Sequence, residues 1–125
     1  MTVITQRNNL GDLLKYEAPN LFSRETGTIA AGQNLSLGTV LGKAAADDKW
    51  HTLDPTASDG TETATAVLAV DIDATLADRD DALLIARHAI VARSALVWPV
   101  GLSATQKAAA EAQLATLGIL VRASA

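Results

Sequence analysis

The densest run of potential ligands is acidic. Residues Asp71 to Asp81 (DIDATLADRDD) open with the D-x-D spacing from which calcium loops are built. Such a loop also needs a glycine at its sixth position for the sharp turn and a bidentate glutamate at its twelfth. Leu76 and Ala82 stand there, so the run reads as a solvated turn between strands. His51 and His88 are the only histidines, and neither has a partner at the H-x-x-x-H or H-E-x-x-H spacing that sets two imidazoles on one helix face. Gly101-Leu102-Ser103-Ala104-Thr105 begins as a nucleophile elbow would, but Thr105 replaces the closing glycine, and Ser103 has a sufficient role as a helix cap. Neither G-x-G-x-x-G nor G-x-x-x-x-G-K-[ST] occurs, so no phosphate cradle is predicted. With no cysteine there is no thiol nucleophile, no Cys-ligated zinc and no disulfide. The sequence therefore predicts no catalytic residue, no cofactor, no metal ligand and no enzyme.

What remains to act on is apolar surface. Hydrophobic residues make up 49% of the 125, yet aromatics only 3%, and Leu, Val and Ile carry the large side chains alongside 25 alanines. That suffices for one aliphatic core and not for two. A net charge of −4, with ten Lys and Arg spread along the chain, offers no basic stripe, so a nucleic-acid partner is disfavoured. The longest apolar stretch, Ala82 to Leu102, is broken by Arg87, His88 and Arg93, which argues against a membrane span. The first residues, MTVITQRNN, lack the basic-then-apolar order of a signal peptide, so synthesis in a cytoplasm is expected. Trp50 and Trp98 stand out in so ring-poor a chain. Each reads first as a core plug or strand-end anchor. Trp98, beside Pro99 at the end of the longest apolar run, is the better interface candidate of the two.

Residues 1–25 sustain no period of 2 or 3.6, although Val3, Ile4, Leu10, Leu13, Leu14, Tyr16, Leu21 and Phe22 are among them. They read as an extended arm, separate from a single domain over residues 26–125. Ordering a residue costs roughly 1–2 kcal/mol of backbone freedom. A fully buried large apolar side chain returns about 1.5–3 kcal/mol. With about one such side chain in three positions the two sums are comparable. The arm should then order only where a preformed surface, such as a sheet edge, also supplies backbone partners.

From Thr26 the pattern is one of short strands: Thr26 to Ala31, segments around Gly38 and Gly42 where no side chain would fit, Lys49 to Leu53, Ala64 to Ile72, and Ala82 to Val97, the last splitting near Arg87 to Ala89. Asp54 to Thr63 is a polar loop. One helix is predicted, opening at a Ser103–Gln106 capping box and leaving at Gly118, with Ala110, Leu114 and Leu117 along one flank. A short strand, Ile119 to Val121, follows.

The order of these pieces carries a resemblance. AAGQNLSLGTVLGK over residues 30–43, LDPTASDGTETATAVLAVDIDAT over 53–75 and SALVWPVGLSATQKAAAEAQLATLGILV over 94–121 form a collinear set. The set resembles the head decoration protein family of tailed bacteriophages over roughly Ser23 to Arg122. The resemblance implies a mixed α+β, mainly β fold: a small β-clip-like barrel, a helix in the C-terminal region and an extended N-terminal arm. It also implies a homotrimer that binds the major capsid protein at local three-fold positions on the outer surface of the expanded head and stabilises it. In that setting residues 1–25 would be the capsid-binding arm, adding to capsid β-structure. Trp98 and Pro99 would be candidates for the trimer interface.

One alternative of another class is kept. The run AGQNLSLGTVLG also resembles the SAF-type β-clip domains of sugar-processing enzymes, which would make the chain a ligand-binding domain for a sugar or nucleotide. That function needs convergent polar residues in a pocket, and no such cluster is evident in the sequence.

Overall fold

A computed structural model describes residues 9–123 of the chain. In chain order the elements are α1 (Leu10–Leu13), β1 (Leu14–Glu17), β2 (Arg24–Ile29), β3 (Gln33–Leu35), β4 (Val40–Lys43), β5 (Trp50–Thr52), β6 (Ala66–Leu68), β7 (Ile72–Ala74), β8 (Arg79–Ile85), β9 (Ala89–Ala92), α2 (Ala104–Ala115) and β10 (Ile119–Arg122). Single 3-10 turns lie at Pro19–Leu21 and Arg93–Ala95. The class is the expected one, mixed and mainly β with one long helix.

Five strands close a barrel in the order β2-β5-β4-β6-β8. Its interior is filled by Ile29, Leu41, Trp50, Ala66, Leu68, Ala82 and Leu84, joined by Ile72 and Ala74 of the two-stranded β3-β7 sheet. The outer face of the same wall is apolar too: Val40, Val67 and Ile85 alternate with the inward residues and enter a second cluster. Buried on both faces, these strands read in sequence as short continuous apolar runs instead of an alternation. Trp50 is a plug, and Gly27 makes room for it, since a Cβ there would lie 2.5 Å from the indole Nε1.

The second cluster is covered by a three-stranded sheet, β1-β9-β10, and by α2. β9 runs antiparallel to β1 and parallel to β10, an arrangement that needs a crossover, which α2 supplies. The helix forms where expected. Ser103 Oγ accepts from the Gln106 N–H at 3.1 Å while Gln106 Oε1 accepts from the Ser103 N–H at 2.9 Å. Ala110 and Leu114 are its buried residues, whereas Leu117, expected on the same flank, is half-exposed beyond the helix end. Gly118 then turns the chain at φ +79°.

Four expectations are corrected. Ala64 to Ile72 is not one strand. At its middle Leu68 O accepts from the Gly38 N–H and the Asp71 carboxylate accepts from the Leu37 N–H, so the chain leaves the barrel and β7 pairs with β3 instead. Asp71 to Asp81 is accordingly not a plain turn, since β7 and the start of β8 lie within it. The long run from Ala82 does break at His88, which takes φ +50°, but it ends in the Arg93–Ala95 turn and not in a strand.

The fourth correction concerns the arm. Val3 and Ile4 lie outside the described residues. Leu10 to Glu17, by contrast, is part of the folded body: α1 is closed by an Asn9–Asp12 capping box, Leu13 is fully buried in the second cluster, Leu10 and Leu14 pack against it, and β1 pairs with β9. The condition for ordering, a sheet edge offering backbone partners, is met within the chain itself. A boundary at residue 25 also falls inside β2, which starts at Arg24.

Candidate interaction surface

Ser23 locks the N-terminal segment onto the body. Its buried hydroxyl accepts from the Ala18 N–H at 2.8 Å and donates to His88 O at 2.7 Å, while Ser23 O accepts from the Ala86 N–H. Arg24 adds a bidentate pair with Glu17, both contacts at 2.8 Å, tying the end of β1 to the start of β2. With the backbone held this way, the large side chains that cannot reach the core remain in water. Tyr16, Leu21 and Phe22 are 54%, 60% and 53% exposed. Phe22 lies against the His88 ring, with the Arg87 guanidinium 5.3 Å from its ring centre.

Register places Tyr16 opposite Ile90 and Ile90 beside Leu120, so these three share the outer face of the β1-β9-β10 sheet. With Ala18, His88 and Gly118 they line a groove of about 230 Å³. A second apolar area surrounds the loop before α2. Trp98 is half-buried against the core and Pro99 half-buried, while Val100 is fully exposed. Pro99, Val100 and Leu102 face Leu53 and Pro55 across a cleft of about 380 Å³. Thus of the residues singled out from sequence, Tyr16, Leu21, Phe22, Trp98 and Pro99 reach the surface, and Leu13 does not. Ile90 and Leu120 were not singled out. The signal that could have found them is the alternation in Ile119-Leu120-Val121-Arg122, where Ile119 and Val121 are buried and Leu120 faces the other way.

The polar groups near these areas do structural work. Asp73 accepts from the N–H and hydroxyl of Thr75 and Asp59 from those of Thr61. Asp78 accepts from the Ala31 N–H and pairs with Lys49 at 2.7 Å, and Asp81 pairs with Arg79. These hydrogen bonds hold Asp59, Asp73, Asp78 and Asp81 below the ordinary carboxylate range, and Arg24 does the same for Glu17. Among the described residues no three His, Asp or Glu side chains gather as a metal site, and no helix is long and apolar enough to cross a membrane.

Depressed carboxylates have a consequence for acid. The unfolded chain takes up protons first, so the stabilisation is complete above the ordinary carboxylate range and is lost as pH falls through the folded values. The urea midpoint should therefore hold down to about pH 5 and fall below it. Glu17→Gln should be weaker than the parent by ~0.5 kcal/mol at neutral pH, as expected for a partly exposed pair, the gap narrowing as pH falls below the ordinary carboxylate range. A gap between parent and variant that persists in acid would mean the pair acts otherwise.

What the arrangement offers is apolar contact area next to the N-terminal segment. No individually curated protein matches the chain. The family model for bacteriophage lambda head decoration protein D matches residues 3–119, which takes in the N-terminal segment, the barrel, the loop at Trp98 and α2. The chain belongs to that family and is a structural protein of the phage capsid, a decoration protein and not a member of an enzyme family.

Proposed function

We propose that this chain cements the expanded phage head. Three copies associate at local three-fold positions on the outer capsid surface, after synthesis in the host cytoplasm, and hold neighbouring major capsid subunits together. The observation that supports this most directly is the extent of the family match, which starts at residue 3 and so includes residues that precede the first element of the folded body. Leu10, Leu13 and Leu14 are engaged within that body. The capsid contact then falls to Val3 and Ile4 together with the exposed Leu21 and Phe22. In this reading residues 1–8 add to capsid β-structure, main-chain hydrogen bonds giving affinity and alternate apolar side chains giving register. The barrel is the rigid part that carries the arm. Linking three such arms raises the effective concentration of the second and third once the first has bound.

The test is a chain lacking residues 2–8. A longer deletion through residue 22 would remove Leu13 and β1 and so confuse binding with folding. The short deletion should melt like the parent and keep its self-association, and its binding to undecorated expanded heads should drop by more than about tenfold in co-sedimentation. Unchanged binding would refute the arm's role.

A further inference from the structure

The two exposed apolar areas lie at opposite ends of one helix. The Trp98–Gly101 loop runs into the Ser103 cap of α2, and Leu117 and Gly118 leave its other end at the groove on the sheet. Twelve residues of helix span about 18 Å. Neither area can cover the other within one chain, so each awaits another molecule.

Resting on the reading that copies associate, we propose that the contact is head-to-tail: the Val100 loop of one copy seats in the Tyr16–Ile90–Leu120 groove of the next. Three features select this occupant. The first is shape: Val100 stands fully exposed on the rim of the 380 Å³ cleft, a single apolar side chain free to enter the 230 Å³ groove of another copy. Groove against groove would leave both unfilled, whereas loop in groove fills one and hides the other. The second is polarity, since no charged residue occurs between Arg93 and Lys107, leaving the loop little reason to stay in water. The third is charge at the rims. Arg122 follows Leu120 on the same strand face and has no carboxylate partner among the described residues. Beside the loop, Asp54 lines the same cleft and accepts hydrogen bonds from the N–H and hydroxyl of Thr56, and it has no cationic partner among the described residues. Opposite unpaired charges at the two ends steer the ends together. A contact between different patches propagates around a rotation axis and closes as a ring, which is the symmetry a trimer needs.

The chain has no cysteine, so introduced ones report contact cleanly. A disulfide forms only when the two Cα atoms come within about 7 Å. Three full-length proteins are oxidised mildly: Tyr16→Cys, Val100→Cys and the double variant. Both sites are exposed, so folding is checked by an unchanged thermal melt. Each single variant should stay at one-chain mass on a non-reducing gel. Their equimolar mixture should give covalent dimers and nothing larger, and the double variant should close into covalent trimers. Cross-linking of either single variant with itself would show like patches meeting and overturn the proposal. If light scattering gives three-chain mass but the mixture does not cross-link, this contact is wrong while association stands. One-chain mass at every concentration, with no cross-linking, overturns the solution interface. Loss of head binding on deleting residues 2–8 is read separately, so the arm's role stands or falls independently.

Discussion

Gly38→Ala is expected to destabilise the chain by about 2–6 kcal/mol, a large share of the 5–15 kcal/mol typical of a domain. Two costs combine. Gly38 sits at φ +96°, where a side chain costs roughly 1–3 kcal/mol. Its Cβ would also overlap the carbonyl oxygen of Ala95, and such overpacking costs about 1–3 kcal/mol more. The neighbour cannot move aside cheaply. Gly38 donates to Leu68 O at 2.8 Å and accepts from the Val97 N–H at 2.9 Å, so the β4 entry, the end of β6 and the segment leading to Trp98 are joined through this residue. Gly32→Ala is the control, because Gly32 has φ +93° and nothing within 4 Å of the added Cβ. It should cost only the backbone part, about 1–3 kcal/mol. Equal urea midpoints for the two variants would show that overlap at Gly38 is relieved and contributes nothing.

Leu13→Ala should cost about 2–5 kcal/mol, the range for emptying a fully buried leucine site. Leu21→Ala, a few residues on and 60% exposed, should change stability by no more than about 0.5 kcal/mol. The pair of urea denaturation curves decides whether the N-terminal segment is architecture or arm from residue 10 onward. A silent Leu13→Ala would return α1 and β1 to the arm.

Legibility in the sequence followed how local the cause was. The helix was readable because its cap, its alanines and its terminal glycine act within a few residues of one another. The break at Arg87 to Ala89 was readable from length alone, and His88 now shows the left-handed residue that makes it. The glycines at 38 and 42 were read as places without room, and a Cβ at Gly42 would indeed fall 2.5 Å from Thr61 O, a residue far along the chain. The segment from Leu10 to Glu17 was not readable. Its apolar spacing is irregular because Leu13 is taken by the core while Tyr16 is left outside, and a bulge between Leu14 and Tyr16 breaks the strand period. The acidic run was misread for a similar reason: the Asp71 carboxylate answers a backbone N–H of Leu37, a partner 34 positions away.

By itself, the sequence determined the class, the single aliphatic core, the capped helix, the lack of any recognisable catalytic spacing and the family, because composition, short-range capping and the order of motifs do not depend on how distant segments meet. The tertiary structure alone decided which apolar residues are spent inside. It put Leu13 in the core and left Tyr16, Leu21, Phe22 and Val100 on the surface. Long-range pairing does this at the N-terminal segment: β1 docked on β9 sets Tyr16 opposite Ile90 on the outer face of the sheet, while the helical turn before it carries Leu13 into the core.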